Sequence, residues 1–203
     1  MKGFNMQANN TKERLLLSAL ELVSEKGSAA TSVDEIAEKI GMKGPVIYKY
    51  FKGKEALLHE LFDMTSTYYK NNMTMHNKES IVLKSGQELK EFSLKLINFT
   101  ISDDIVIKLR KVTMLEQYNS DENRKKMTEY QFYNIIRQFT GIFKSMMEAG
   151  AIKEVDPEVL ALEYTAPITI LIQLCDREPE LKDDIIKKIE THIDFFISNY
   201  CTK

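Results

Sequence analysis

Apolar residues recur along this chain at the spacing of one face of an α-helix. In the segment from 10 to 27 they fall at i, i+3, i+4 and i+7, as Leu16, Ala19, Leu20 and Val23. Asn10 and Glu13 supply a pairing at the N-terminus of this helix, and Gly27 supplies a stop at its C-terminus. The pattern therefore predicts one amphipathic helix in this segment.

The same periodicity predicts helices along the rest of the chain, and no strand or hairpin pattern competes with it. The predicted helices are short at first and then lengthen: 33–40, 44–51, 54–75, 84–101, 103–118, 121–149, 157–176 and 180–200. We therefore predict an all-α protein with a tail at 1–10, a small helical domain at 11–54 and a larger helical domain at 55–203.

Composition narrows the class of protein. The 203 residues are 43% hydrophobic and 29% charged with 8 Gly and 4 Pro, which disfavours both a disordered chain and a turn-rich β-sandwich. The formal net charge of -2 excludes a protein that holds nucleic acid by bulk positive charge, but leaves room for a local basic patch.

Neither the cysteines nor the apolar runs of the sequence indicate a secreted or membrane protein. Cys175 and Cys201 have neither the spacing of a disulfide framework nor that of a zinc site, which fits the reducing cytosol. The N-terminal residues lack the apolar stretch of a signal peptide, and the apolar run at 166–174 is too short to span a bilayer. We expect a soluble cytoplasmic protein.

The window 33–52 carries the pattern of a helix-turn-helix. Ser32 and Glu35 form a capping box at the start of the first helix, Ala37 is small where two helices must cross, and Gly41 suits a turn with positive φ. Apolar positions that can pack between the two helices complete the pattern, at Ile36, Ile40, Met42 and Ile47. In such a motif the second helix enters the major groove of DNA.

A local basic patch lies where this motif needs it. The stretch from Lys43 to Lys54 contains no acidic residue and four lysines, Lys43, Lys49, Lys52 and Lys54. Tyr48 and Tyr50 add hydroxyls that can reach phosphates, and Gly44 and Pro45 are expected to expose backbone and a compact apolar surface. The alternative is an ordinary helical hairpin with a solvated lysine face, since short motifs also occur by chance.

At this point the chain resembles the TetR family of bacterial transcriptional regulators. The resemblance covers residues 11–62, through ALELVSEKG (19–27), ATSVDEIAEKIGM (30–42) and IYKYFKGKEALL (47–58), with a weaker echo at 150–164 that resembles the entry to the family's dimerising helix. It implies a three-helix DNA-binding head and a helical C-terminal domain for ligand and dimer contacts.

The resemblance also implies residue roles. Ile47 and Phe51 occupy core positions, and Lys43 stands where many members have Ser, which weakens side-chain capping of the second helix. Lys49 replaces a frequent aromatic residue, and Gly53 replaces the usual polar cap before Lys54. The positions that commonly touch DNA are Ser32, Lys43, Gly44, Pro45, Val46, Tyr48, Lys49, Tyr50 and Lys54.

Methionines and aromatic residues recur at helical spacing in the C-terminal part. Most such residues are core, but Met and Tyr can also line an adaptable pocket. Few acidic residues accompany them, which favours an apolar or aromatic effector over a polycation. The candidate ligand-binding residues are Met64, Tyr68, Phe92, Phe99, Met114, Tyr118, Tyr130, Tyr133 and Met146.

Two apolar stripes near the C-terminus are candidates for a dimer interface, because two helices from each chain can form a four-helix bundle. Packing within one chain is the alternative, since a stripe does not name its partner. Asp156 and Pro157 begin the first of these helices, and Pro167 is expected to kink it or to end its first half. The stripes are Leu160, Tyr164, Ile168, Leu171 and Ile172, then Ile185, Ile189, Ile193, Phe196 and Ile197.

No pattern supports catalysis, a metal or a cofactor. His59, His76 and His192 form no ligand cluster, the acidic pairs at 103–104 and 183–184 suit helix N-termini, and GxSxG, P-loop and GxGxxG motifs are missing from the sequence. We predict a homodimeric repressor that an effector releases from a pseudo-palindromic operator. The alternatives are a helical adaptor or ligand-binding protein without specific DNA binding and, more remotely, a small helical enzyme.

Overall fold

A computed structural model describes residues 10–73 and 81–202 of the chain. Within those ranges the protein is all-α, as predicted, and its β-structure is a single isolated bridge between Ile152 and Cys201. The α-helices are α1 (Thr11–Lys26), α2 (Val33–Glu38), α3 (Lys54–Met73), α4 (Gly86–Ser102), α5 (Asp104–Glu116), α6 (Asp121–Thr128), α7 (Asn134–Glu148), α8 (Pro157–Arg177) and α9 (Lys182–Tyr200).

Three short segments of other helix types join these elements. Gly44–Lys49 and Pro179–Leu181 are 3-10 helices, and Glu129–Tyr133 is a π-helical turn between α6 and α7. The sequence predicted one helix over 121–149 and an α-helix over 44–51, so the structure differs at both places. At the π turn the N–H of Asn134 donates to the carbonyl oxygen of Glu129, five residues back, which inserts one extra residue into the helix.

The chain forms two compact units. The first consists of 1–76 and 103–123, and the second of 77–102 and 124–203. The predicted boundary at 54 does not coincide with this division, because α3 and α5 both pack with α1. The core of the first unit includes Leu15, Val23, Ile36, Ile47, Phe51, Leu57, Leu61 and Val112.

The second unit is built from α4, α7, α8 and α9 around an aromatic core. Ring centroids lie 5.5 Å apart for Phe143 and Tyr164 and 4.5 Å apart for Tyr164 and Phe196. The Tyr164 hydroxyl shares a 2.6 Å hydrogen bond with Ser93 Oγ, so its polar atom is satisfied inside this core. Burial of the Tyr164 side chain raises its pKa well above the ordinary value.

Helix α8 begins as the sequence predicts and continues further. The Asp156 side chain accepts hydrogen bonds from the N–H groups of Glu158 and Val159, and Pro157 is the first helical residue. The helix runs through Pro167, so this residue does not end it, and the expected kink stays a prediction. Of the helices in the described ranges, α8 alone is long and apolar enough to cross a membrane, which corrects the estimate from the run at 166–174. Core helices of soluble proteins pass the same test.

Candidate DNA-binding surface

The first helix of the motif begins at a complete capping box, as predicted. Ser32 Oγ accepts a hydrogen bond from the N–H of Glu35 at 3.1 Å, and Glu35 Oε2 accepts one from the N–H of Ser32 at 2.8 Å. Two backbone donors that the helix leaves without partners are therefore satisfied. The start of α2 is thereby tied to the turn that precedes it.

Helix α1 holds the other end of α2. Ser18 Oγ donates to the carbonyl oxygen of Ile36 at 2.8 Å, and an Arg14 guanidinium nitrogen donates to that of Ile40 at 3.0 Å. Carbonyl groups at a helix C-terminus lack partners within the helix, so these side chains from α1 supply them. Arg14 is a residue that our sequence reasoning missed, because its partner lies 26 residues away.

The turn of the motif has the predicted geometry. Gly41 adopts φ 75, a left-handed conformation that glycine reaches without a steric penalty. The N–H of Met42 then donates to the carbonyl oxygen of Ala37 at 2.9 Å, which closes the turn. Ile36, Ala37 and Ile47 are fully buried, so the apolar contact between the two helices forms as predicted.

The second helix of the motif is the 3-10 helix Gly44–Lys49, which we call the recognition helix. Lys43 is its N-cap residue and makes no side-chain capping hydrogen bond, which confirms the weakened cap. The N–H of Phe51 donates to the carbonyl oxygen of Ile47, and both side chains are buried. These two residues attach the recognition helix to the core of the first unit, which confirms their predicted positions.

Gly44 differs from its expected role. It is buried, and a Cβ atom at this position would lie 1.5 Å from Oδ1 of Asp34 and 2.7 Å from its Cγ. The expectation that Gly44 exposes its backbone is therefore wrong. Its lack of a side chain lets the recognition helix approach the first turn of α2 closely.

The other predicted DNA-contact residues form an outward surface. Val46 and Lys54 are half-buried; the exposed members are Ser32, Lys43, Pro45, Tyr48, Lys49 and Tyr50. In the described part of the chain, no acidic side chain pairs with Lys43, Lys49, Lys52 or Lys54 within 4.0 Å. The basic surface is therefore not neutralised by the protein itself, and it can receive phosphates.

Comparisons with known proteins agree with this geometry. The profile of the bacterial regulatory proteins, tetR family, matches residues 15–61. The fatty acid metabolism regulator protein of Bacillus subtilis (strain 168) is 31% identical over 147 residues, which are 70% of this chain and 70% of that protein. The chain belongs to the TetR family.

Two further proteins resemble this TetR-family chain. The uncharacterised HTH-type transcriptional regulator YerO of Bacillus subtilis (strain 168) is 29% identical over 140 residues, which are 68% of this chain but 46% of YerO. The chain thus spans less than half the length of that relative. The crystal structure of the transcriptional regulator FadR from Bacillus subtilis in complex with stearoyl-CoA has a TM-score of 0.69 at 21% identity, over 92% of this chain and 97% of that one.

The ligand-binding residues predicted for this TetR-family chain divide between the two units. Met64 and Tyr68 are half-buried against the core of the first unit, which also contains a half-buried Met114 and a well-exposed Tyr118. In the second unit Phe92 and Met146 share one buried core and Phe99 is half-buried, whereas Tyr133 is exposed. The side chain of Tyr130 lies outside the described residues.

The predicted dimer stripes lie in the core of the second unit rather than on its surface. Seven of the ten residues are buried, and Leu171, Ile172 and Ile197 are half-buried against the same core. The buried residues pack within one chain and offer no surface to a second copy, whereas an interface at the half-buried Leu171, Ile172 and Ile197 stays a prediction. The buried seven are Leu160, Tyr164, Ile168, Ile185, Ile189, Ile193 and Phe196.

Four other large apolar side chains of the same two helices are exposed instead. Val159, Leu162 and Ile170 on α8 are 62%, 52% and 66% exposed, and Phe195 on α9 is 63% exposed. We call these four residues the outer face. Sequence reasoning missed the outer face because α8 is apolar on both sides, although Val159, Leu162 and Ile170 themselves recur at helical spacing.

Proposed function

We propose that this chain is a sequence-specific DNA-binding regulator of transcription, a cytoplasmic homodimeric repressor that a small-molecule effector releases from its operator. The observation that carries the proposal is the basic surface around the recognition helix, in a protein whose net charge is -2. Its lysines are exposed apart from the half-buried Lys54, and they form no ion pair within the described residues. Membership of a family of transcriptional regulators supports it. An adaptor without DNA binding would have no evident need for four lysines at this place.

The surface divides into two kinds of contact. Lys43, Lys52 and Lys54 at its edges are suited to phosphates, as are the hydroxyls of Ser32, Tyr48 and Tyr50. Lys49 and Val46 on the recognition helix, with Pro45 at its start, are assigned to base edges, where a lysine can donate to guanine and an apolar group can contact a thymine methyl. Gly44 supports this surface from beneath.

The outer face is the proposed dimer interface. Large apolar side chains exposed together on neighbouring helices favour burial against a partner, and a second copy of the chain satisfies this with the same face. Two heads in one dimer would contact two half-sites about 34 to 36 Å apart, one turn of DNA. A pseudo-palindromic operator is therefore expected.

The effector is assigned to the apolar or aromatic class. The core of the second unit is aromatic and aliphatic and contains Phe92 and Met146, and side chains of this kind suit contact with an apolar ligand. The stearoyl-CoA held by FadR and the name of the fatty acid metabolism regulator favour a long-chain acyl thioester as the first probe. Release of the protein from its operator by stearoyl-CoA, but not by coenzyme A alone, is the expected result. Equal release by both, or by neither, would contradict a long-chain acyl thioester as the effector.

Selection of genomic fragments by the purified protein tests the DNA-binding function. At moderate salt the wild-type protein should retain a small set of fragments that share a palindromic site. A variant with Lys43, Lys49 and Lys52 each replaced by Gln is the control and should retain none. If wild-type protein retains no fragment, or retains all fragments equally, the adaptor alternative is favoured and the proposal fails.

A further inference from the structure

Glu116, the last residue of α5, is a buried carboxylate with three hydrogen-bond donors. Its Oε1 accepts the N–H of Ser28 at 2.7 Å, and its Oε2 accepts the hydroxyl of Ser28 and the side-chain amide of Asn119, both at 2.5 Å. Glu116 is only 4% exposed. Ser28 lies 88 residues earlier, in the turn between α1 and α2.

The turn that Glu116 holds sets the start of α2. Thr31 Oγ1 donates to the carbonyl oxygen of Gly27 at 2.8 Å, and the N–H of Thr31 donates to that of Ser28 at 3.2 Å. Thr31 is itself buried and precedes Ser32, the capping residue of α2. The position of Ser28 therefore fixes that of Thr31 and of the adjacent Ser32, at which the first helix of the motif begins.

Burying a carboxylate at this place costs free energy, because the carboxylate loses its hydration. Helix α5 already packs on α1 through apolar residues such as Ile105 and Val112, so the contact between these helices does not require a charge. A buried carboxylate is tolerated only when hydrogen bonds replace its hydration, and here both oxygens are used. Two bonds to one serine fix both the distance and the orientation of the turn, which an apolar contact would not do.

The other end of α5 is held in a similar way. Asp103 caps the helix with Oδ1, which accepts the N–H of Val106 at 3.0 Å, while its Oδ2 accepts the Tyr68 hydroxyl of α3 at 2.6 Å. Hydrogen bonds therefore tie α5 to α3 at its start and to the α1–α2 turn at its end. Apolar packing alone would let these helices slide past one another more easily.

We propose that Glu116 is a positioning residue for DNA binding: by clamping Ser28 it fixes the turn before α2 and hence the place of the recognition helix relative to α5. This role rests on the proposed function, because it concerns the alignment of the DNA-contact surface. Glu116 itself is buried, so its effect on DNA binding is indirect.

Three variants and one control test the proposal. Glu116→Leu removes both acceptor oxygens. Glu116→Gln keeps one acceptor for the N–H of Ser28 and gains an amide that can donate to the Ser28 hydroxyl, but it loses the acceptor of the Asn119 amide. Ser28→Ala removes one of the two bonds between Ser28 and Glu116. The control is Thr113→Val, which replaces a buried hydroxyl of α5 that donates to the carbonyl oxygen of Leu109 in the same helix. Two quantities are measured well below the melting temperature of each variant: affinity for the duplex recovered by genomic selection, and hydrogen exchange of the amides in 28–35.

Glu116→Leu is expected to bind the selected duplex about tenfold more weakly or worse, as for a buried N–H left without an acceptor, and to exchange faster in 28–35. Glu116→Gln should recover most of the affinity, and Thr113→Val should match the wild type in both measurements. If Glu116→Leu does not fold, Ser28→Ala replaces it, with a smaller loss of the same kind expected.

Unchanged exchange in 28–35 would overturn the proposal whatever the DNA result. Faster exchange with unchanged affinity would also overturn it, because Glu116 would then serve stability alone. If the wild-type protein binds no duplex selectively, the proposed function fails, and hydrogen exchange still decides whether Glu116 holds the turn.

Discussion

Lys26 at the end of α1 and Glu35 in the first turn of α2 form an ion pair, with 2.5 Å between Nζ and Oε1. The hydrogen bond from Lys26, together with those from the backbone and side chain of Ser32, lowers the pKa of Glu35 from its ordinary value of 4.5 to about 2. The same carboxylate therefore completes the capping box and connects α1 to α2. The ion pair with Lys26 needs the ionised carboxylate, whereas the bond from the N–H of Ser32 needs only an acceptor oxygen.

The stability of the first unit should consequently depend on the ionisation of Glu35. A carboxyl group with a lowered pKa in the folded state stabilises the protein above its unfolded pKa, and this contribution disappears as the pH falls toward the folded pKa. The melting temperature of the wild type should exceed that of Glu35→Gln near pH 6, and the difference should shrink between pH 4.5 and about 2. Thermal unfolding followed by circular dichroism measures this.

The matched control for Glu35 is Glu38→Gln, which changes an exposed carboxylate at the last residue of the same helix. Its difference from wild type should be small and should not follow the same pH dependence. A Glu35→Gln variant as stable as wild type at pH 6 would show that the charge of Glu35 and its ion pair with Lys26 contribute nothing measurable, because Gln can still complete the capping box.

Gly44 and Asp34 provide a steric test of the motif. Gly44→Ala should destabilise the protein by about 1 kcal/mol, the lower end of the cost of overpacking, because the exposed Asp34 side chain must rotate away from the new Cβ. The same substitution in an Asp34→Ala background should cost clearly less. Urea unfolding of the four proteins in this double-mutant cycle provides the comparison, and equal costs in both backgrounds would contradict the contact.

Lys54 tests the assignment of phosphate contacts. Lys54→Ala should weaken binding to all duplexes and reduce the slope of log affinity against log salt by about one unit, as expected for one lost phosphate contact. Lys188→Ala, which removes an exposed lysine from α9, is the control and should leave the slope unchanged. An unchanged slope for Lys54→Ala would remove this residue from the DNA-contact surface.

Val46 and Lys49 test base recognition. If they face base edges, Val46→Ala and Lys49→Ala should lower affinity for the selected site more than for random duplex, by about 1 to 3 kcal/mol of discrimination for a good contact. Competition binding with both duplexes measures the ratio. Equal losses on both would assign these residues to the backbone instead.

Local signals made much of the motif predictable from sequence. The capping box of Ser32 and Glu35, the turn at Gly41 and the cap at Asp156 each depend on residues within a few positions, so their geometry follows from the backbone groups that a helix end leaves unpaired. Contacts made over a long sequence separation were not predictable in this way. Nothing near Glu116 in the sequence identifies Ser28 as its partner.

The hydrophobic pattern also did not predict the type of each helix or the element against which it packs. The recognition helix is 3-10 rather than α, and the π turn at Glu129–Tyr133 interrupts a helix whose periodicity read as continuous. In α8 and α9 the periodicity identified a buried stripe correctly, but burial within one chain and burial against a second copy produce the same stripe. Only the packing of α7, α8 and α9 decides between them.

The outer face yields the sharpest test of the dimer. Leu162→Asp with Ile170→Asp places two carboxylates on exposed positions of α8, where the isolated chain tolerates them because they remain in water. In a dimer formed through this face the same charges would be buried, at a cost that prevents association. Light scattering should therefore detect a monomer, circular dichroism should find wild-type helical content, and binding to the selected duplex should weaken.

Ile193→Asp is the matched contrast, since Ile193 is 0% exposed, and it should lose helical structure. A double variant that remains a dimer with wild-type affinity would exclude the outer face, whereas a helical Ile193→Asp monomer would return the interface to the buried stripe.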